Sequence, residues 1–281
     1  MINPNNKPVV CIYHDKCMDG LASAWTVKKF FGKEPVTFIP GVYSDPIPDI
    51  KDSIIYLVDF SYKREDMLKL MECNHVVLLD HHESAAKELE GLFPIDQTRS
   101  GVILTWQYFF GHEPAPVHLQ HIQDRDLWVW LMKDTKAFSA GAFTYPLSLE
   151  GMDELFSTPV EEVIGLGRGL RKKQEADLDR IMPLVRRMEI NGYNVPVVNA
   201  NYQFASDMGA RLALCEPFVV IYFDDVDHRA FSLRSHKEKG VLVNVIAESF
   251  GGGGHKNSSG FKIPFDDKRF ARSHVFLDAS D

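Results

Sequence analysis

Histidine and aspartate recur in this chain just past short apolar runs, and that placement gives them chemical potential. Asp80-His81-His82 follows Val76-Val77-Leu78-Leu79, and Asp59 follows Ile54-Ile55-Tyr56-Leu57-Val58. His14 follows Val9-Val10-Cys11-Ile12-Tyr13, with Asp19-Gly20 just beyond. A carboxylate can bridge two divalent cations because its oxygens offer lone pairs in different directions, and an imidazole adds a ligand without adding charge. Asp59, ending a central run, is the natural bridge. His14 and His81 can each give a nitrogen to a different metal, with Asp19 and a later aspartate completing the oxygen ligands. Such a mixed O/N set suits manganese or magnesium better than a thiolate-rich zinc site. Two such ions about 3.5–4 Å apart acidify a water and hold phosphoryl oxygens for in-line attack, so phosphoester hydrolysis is the chemistry expected.

The elements that must carry these groups follow from the apolar pattern. Short continuous apolar runs alternating with helical patterns predict parallel strands covered on both faces. Leu21–Phe31 reads as a first crossover helix opened by Asp19-Gly20 and stopped by Gly32; Val36–Ile39 reads as a second strand. Gly41–Asp52, with prolines at 46 and 48, reads as a loop, and a helix follows near Arg64–Glu72. A further helix is expected just after His82. The architecture expected is α/β, a parallel doubly wound sheet, whose ligands lie beyond the carboxyl ends of the strands. All three runs deliver their carboxylates and imidazoles to that edge.

Beyond Ser100 the pattern turns helical and aromatic, with Trp106, Tyr108, Phe109, Trp128 and Trp130 expected mainly in the core. Val160–Glu189 reads as a long connecting helix kinked at Pro183, its Arg168, Arg171, Lys172 and Lys173 forming a solvated face. After Gly192 the pattern is strand-rich (Tyr193–Asn199, Phe218–Phe223, Ala230–Arg234), with a helical stretch at Val241–Phe250. The expected division is a metal-binding domain over 1–150, a helical linker over 151–191 and a smaller α/β domain over 192–275, with the last residues frayed. The run Gly251-Gly252-Gly253-Gly254-His255 could hold an anion, since glycine amides approach closely and His255 adds a donor.

Composition narrows the partners. With 281 residues, 45% hydrophobic and 25% charged, the chain is ordinary for a globular protein. A net charge of −8 argues against a broad basic face for long duplex DNA, though bound cations would make an acidic pocket locally positive. Cys11, Cys17, Cys73 and Cys215 are scattered, without zinc-ligand or disulfide spacing, which points to a reducing, cytoplasmic setting. Met1–Pro8 is polar and lacks a signal-peptide core, and no apolar stretch is long enough to cross a membrane.

Four motifs occur in the order of a known superfamily: His14 through Asp19-Gly20, Val58-Asp59-Phe60-Ser61, Leu79 through Ala85, and Gly251 through Gly260-Phe261. Together they make the chain resemble the DHH phosphoesterases with a C-terminal DHHA1 domain, a group that includes RecJ-type exonucleases, nanoRNA and pAp phosphatases and cyclic-dinucleotide phosphodiesterases. The resemblance covers nearly the whole chain. It implies a DHH domain joined by the helical linker to a DHHA1 domain. It further implies His14 and Asp59 on one metal, and Asp19, Asp59, His81 and a downstream aspartate on a second, the ions being Mn2+ or Mg2+. Asp80 would orient an imidazole and His82 would face the scissile phosphate, as the catalytic pair. Of the two aspartates in Gln123-Asp124-Arg125-Asp126, Asp124 is preferred as ligand, with Asp126 the alternate. Where the family's first motif has an earlier aspartate, this chain has Cys17, with Asp15 next to His14; either could ligate, or Cys17 could be a packed neutral thiol.

Ser232-Leu233-Arg234-Ser235 and Lys256-Asn257-Ser258-Ser259-Gly260-Phe261 resemble the DHHA1 signature. The resemblance implies that Arg234, Gly252, Gly253, Gly254 and His255 bind substrate in a cleft between the domains. The implied activity is metal-dependent hydrolysis of phosphodiester or phosphomonoester bonds in short single-stranded oligonucleotides or small nucleotides. The alternatives are a pAp nucleotidase or cyclic-dinucleotide phosphodiesterase, and a non-catalytic nucleic-acid-binding member. A homodimer through a sheet edge or the linker helix is compatible with the sequence but not required by it.

Overall fold

The computed structural model describes residues 7–43 and 45–266. The polar start over 1–6, the end of the second domain near 275 and the expected fraying of the last residues lie outside the described residues. The chain divides into two compact units, Met1–Arg171 and Lys172–Asp281.

In the first unit a four-stranded sheet is built from β1 (Val9–His14), β2 (Val36–Gly41), β3 (Ile54–Val58) and β4 (His75–Leu79). The strands are all parallel, in the order β2-β1-β3-β4. Helix α1 (Met18–Phe31) links β1 to β2, and α2 (Arg64–Cys73) links β3 to β4. The apolar runs are continuous because both faces are covered. Cys11, Tyr56 and Val58 pack with Ala24 and Val27 of α1, whereas Val10, Ile12, Ile55 and Leu57 pack with Met67 and Leu70 of α2. Since β2 and β3 lie on opposite sides of β1, the strand order reverses between β1 and β3, where a parallel sheet opens a crevice at its carboxyl edge.

The short helix α3 (Glu83–Glu88) follows β4, and then come α4 (Gly101–Phe110), α5 (Val117–Asp126), α6 (Thr135–Ala142) and α7 (Leu149–Ser157). They bury Val102, Ile103, Trp106, Leu119, Ile122 and Phe138 against Met18 and Leu21 of α1. Not all the aromatics are core: Tyr108 is exposed, and Trp128 is 68% exposed.

Helix α8 (Val160–Ile181) carries the chain across the division between units and is shorter than the sequence pattern suggests. It gives way to a 3-10 turn at Met182–Leu184 and then to a strand, β5 (Arg186–Ile190), so residues 186–189 are not helical. Pro183 lacks an N–H and disfavours helix at the residue before it. Asn191-Gly192 then turns the chain directly into β6 (Tyr193–Asn199), both residues having positive φ (51° and 80°), as a tight hairpin turn requires. Ile190 and Tyr193 are paired across that turn. The basic cluster is partly ion-paired at the surface, Arg168 with Asp134 at 2.8 Å and Lys173 with Asp177.

The second unit continues with α9 (Ala205–Leu212), β7 (Val219–Asp224), β8 (His228–Arg234), α10 (Val243–Ser249), β9 (Gly253–His255) and β10 (Ser258–Pro264). Its sheet runs β5-β6-β7-β8-β10-β9, antiparallel except for the β6–β7 pair. Phe218, Val220, Leu233 and Phe261 pack with Val243 and Ile246 of α10, while Val198, Val219 and Ile221 pack with Met208 of α9. Among the described residues no helix is long and apolar enough to cross a membrane. The Asn191-Gly192 hairpin should be a stability determinant of this unit: Gly192→Val is expected to cost about 1–3 kcal/mol, since a β-branched residue resists positive φ. Urea unfolding would read this as a lower midpoint, and an unchanged midpoint would contradict it.

Candidate metal centre

The carboxyl edge of the parallel sheet gathers His14, Asp59, His81 and His82 at the ends of β1, β3 and β4. Asp59 sits directly after β3 with φ 55°, a left-handed conformation that costs energy in any residue with a side chain, and its amide donates to the Leu79 carbonyl at 2.9 Å. Its carboxylate is the hub. Oδ1 lies 3.2 Å from His81 Nε2 and 3.9 Å from His82 Nδ1, and Oδ2 lies 3.4 Å from His14 Nδ1. Asp59 is only 1% exposed, as is Asp19 on the first turn of α1.

Helix α4 presses its N-terminus onto both carboxylates. The Val102 amide donates to Asp19 Oδ2 at 3.2 Å, and a Cβ on Gly101 would stand 2.6 Å from Asp59 Cβ and 2.9 Å from Asp19 Oδ2. Only glycine allows that approach, which brings the positive end of the helix dipole to the carboxylates. Gly101 was not legible as a site residue. Ser100-Gly101 before an apolar run marks a helix start, but nothing in the pattern says what the helix start touches.

The structure separates the two downstream aspartates in the opposite sense to the sequence preference. Asp124 is 4% exposed and spends its oxygens on the backbone amides of Leu131 (2.7 Å) and Met132 (3.1 Å). Asp126 instead brings Oδ2 to 3.3 Å from His81 Nε2 and groups with Asp19 and His81. Asp124 is thus a loop anchor, and Asp126 joins the cluster. Cys17 also joins, its sulfur grouping with His14 and Asp59; Asp15 belongs to no such group among the described residues. Asp80 stays out of the cluster and holds its neighbour: Oδ1 accepts from the amides of His81 (2.8 Å) and His82 (3.3 Å) and lies 2.7 Å from His82 Nδ1. Tyr43, which no sequence motif singles out, packs edge-on to His14 and His82 at centroid distances of 5.4 and 6.4 Å.

Electrostatics distinguish the three carboxylates. Burial, then the charges of Asp59 and Asp126, push the Asp19 carboxyl well above its usual range. Burial and Asp59 likewise raise Asp126. For Asp59 burial also works upward, but His14, His81 and the His82 charge outweigh it and bring it to about 2. Burial works to lower His81, yet Asp59 and Asp126 leave it raised. His82 is raised to about 9, chiefly by its hydrogen bond to Asp80. Burial, with Asp59 and Asp19, pushes the Cys17 thiol up.

The residues fit divalent cations. His14 Nδ1, Asp19 Oδ1, Asp59 Oδ2 and Asp126 Oδ2 are buried atoms with no hydrogen-bond partner. Such atoms are costly unless something else satisfies them, and a cation is what a cluster of carboxylate oxygens and imidazole nitrogens would accept.

In the second unit, Arg234 of β8, Ser258 of β10 and His255 of β9 pair in one cross-strand row, which sets their side chains on one face. The stem of Arg234 packs on Gly209 of α9, and burial lowers its pKa. Gly252 is less available than the glycine run suggests. Its amide donates to the Ala247 carbonyl at 2.9 Å, closing the end of α10, and Gly251 does the same to Glu248 at 3.0 Å. Gly253 and Gly254 lie in β9 with His255, paired to β10.

This architecture is the DHH/DHHA1 fold. Over 96% of this chain and 97% of its counterpart it aligns with a pGpG-specific phosphodiesterase from Vibrio cholerae, at 14% identity and a TM-score of 0.55. A RecJ from Thermus thermophilus in complex with Mn2+ aligns over 96% of this chain and 52% of that one, at 14% identity and a TM-score of 0.49. In sequence, an uncharacterized protein of Acanthamoeba polyphaga mimivirus is 31% identical over 285 residues, covering 89% of this chain. The chain spans 66% of that relative's length. No protein-family model matches the sequence.

The Asp80–His82 pair gives a pH signature. Because the folded pKa of His82 is raised to about 9, the pair stabilises the metal-free fold fully below about pH 6.5, and that contribution is lost as pH rises through about 9. Asp80→Asn should move the His82 midpoint down toward 6.5, followed by imidazole NMR. A midpoint left near 9 would mean that Asp80 is not the cause.

Proposed function

We propose that this chain is a metal-dependent phosphoesterase of the DHH superfamily, hydrolysing phosphodiester or phosphomonoester bonds in short single-stranded oligonucleotides or small nucleotides. The observation that carries the reading is the set of four buried atoms without a hydrogen bond, on His14, Asp19, Asp59 and Asp126, at the carboxyl edge of a parallel sheet where its strand order reverses.

In this reading Asp59 would serve two cation positions, one held also by His14 and the other by Asp19, His81 and Asp126. The oxygen-rich second position suits manganese or magnesium. Divalent cations held there supply Lewis acidity toward a phosphoryl oxygen and toward an attacking water. The hydrogen bond to Asp80 raises the pKa of His82 in the metal-free chain, and its side chain is 30% exposed, so it is placed to donate a proton to a leaving oxygen. Asp80 fixes the ring angle of His82 through Nδ1, which makes Nε2 the nitrogen for substrate. Arg234 and His255, on one face of the second unit's sheet, are the candidates for phosphate contacts, with Gly253 and Gly254 beside them. Gly252 contributes its position rather than its amide.

Two measurements test this. The aspartate pair should split: Asp126→Asn lowers kcat/KM by at least about 100-fold and weakens divalent-ion binding, with the fold intact. Asp124→Asn retains ion binding while lowering stability by about 1–3 kcal/mol, because the Leu131 and Met132 amides lose a charged acceptor. Equal losses of ion binding in both would overturn the assignment. Product analysis with manganese, offering a 5′-labelled RNA dinucleotide, a longer single strand, pAp, pGpG and cyclic di-AMP, should show preferential cleavage of one member. No cleavage of any, with manganese and then with softer metals, would favour a nucleic-acid-binding protein without turnover.

A further inference from the structure

Cys17 occupies the junction between β1 and α1, the last extended residue before the helix (φ −112°, ψ 133°). Lys16 before it adopts φ 54°, a left-handed conformation, so the β1–α1 connection carries backbone strain one residue away. In this setting a nitrogen of His14, the sulfur of Cys17 and a carboxylate oxygen of Asp59 all lie within 4.8 Å of one another. Two of these partners offer buried atoms with nothing else to bind: His14 Nδ1 and Asp59 Oδ2, 3.4 Å apart, on a carboxylate that is 1% exposed. No carboxylate other than Asp59 shares this group, whereas Asp19 and Asp126 group with His81 instead. The two halves of the centre therefore differ in chemistry, one rich in oxygen and the other built from nitrogen, sulfur and a shared oxygen.

We propose that Cys17 ligates the cation held by His14 and Asp59, making that position a thiolate site selective for zinc or ferrous iron over manganese or magnesium. The inference rests on the two-cation reading above and deepens it, giving the pair of positions unequal preferences. Soft thiolate donors favour zinc and iron, while carboxylate-rich sets favour magnesium and manganese. On binding, the Cys17 S–H bond breaks, its proton passes to solvent, and the sulfur lone pair enters the new metal–sulfur bond. No oxidant is involved. The other cysteines do not compete at this place: Cys11 is buried in β1 among apolar side chains, and Cys73 and Cys215 are exposed elsewhere.

The test is spectroscopic and independent of turnover. The metal-free full chain is titrated with cobalt(II), which reports a coordinated thiolate through a sulfur-to-cobalt charge-transfer band in the near ultraviolet. The expected result is a band that saturates with one equivalent and is absent from both Cys17→Ser and Cys17→Ala, while each variant keeps its far-ultraviolet dichroism and still binds cobalt at the Asp19–His81–Asp126 position. Competition titrations of Cys17→Asp should shift the zinc-to-manganese affinity ratio at the first position by at least about tenfold toward manganese. Cobalt bound at two equivalents with no charge-transfer band, or a band unchanged in Cys17→Ser, overturns the role of Cys17 and leaves the phosphoesterase reading standing. A parent chain that binds no cobalt at all overturns both.

Discussion

The crowding of three carboxyl groups around the imidazoles of His14, His81 and His82 is the constraint on which the first unit turns. Asp19 and Asp59 are almost wholly buried, and Asp126 is drawn in beside them. Like charges this close cannot all ionise in a poorly solvated site. The polypeptide alone answers with protons: Asp59 stays ionised against His14 and His81, while Asp19 and Asp126 are pushed upward. That compensation is partial, since four buried polar atoms of the cluster still lack a hydrogen bond. The fold also bears a left-handed backbone at Asp59 and the close approach of Gly101 to hold the arrangement. Strain and unsatisfied polarity in one place mark a site that something else completes, and any ligand that binds only the folded form will stabilise it.

What could be read from the chain was whatever depends on local pattern. The strand ends were legible because β1 and β3 are buried on both faces, so their residues are continuously apolar and the first polar residue marks the carboxyl edge. That His14 and Asp59 meet follows from the pairing of β1 with β3, which the apolar pattern does not reveal; only the family resemblance implied that the two share a metal. The choice between Asp124 and Asp126 was not legible. The two residues stand on the last turn of one helix, about 200° apart around its axis, and only the packing of α5 decides which of them faces the sheet. Residues 186–190 failed for a different reason. Charged residues between apolar ones fit either period, and the decisive mark was the Asn191-Gly192 turn, which lies beyond the ambiguous stretch. The glycine run shows the limit of motif reasoning, because an amide suited to an anion in sequence can already be spent closing a helix, as at Gly252.

The displacement of Asp124 from the cluster has a structural consequence for the residue that replaces it. Beyond α5 the chain doubles back with Trp128 and Trp130 both at positive φ, and the returning amides cap the helix: Leu127 to the Gln123 carbonyl, Trp128 to Arg125, and Val129 to Asp124. Asp124 then clasps the amides of Leu131 and Met132 with its side chain. Every acceptor in this network belongs to the last turn of α5, the same turn that carries Asp126. The helix end, which would ordinarily fray, is therefore held from outside by a loop whose residues Trp128 and Leu131 stay largely in solvent, at 68% and 86% exposure. Holding Asp126 still fixes its carboxylate against His81, a contact of 3.3 Å that a frayed helix end would not keep. Two aspartates two residues apart thus act in concert, Asp124 fixing the end of the helix from one side and Asp126 using that fixed end to reach His81 from the other.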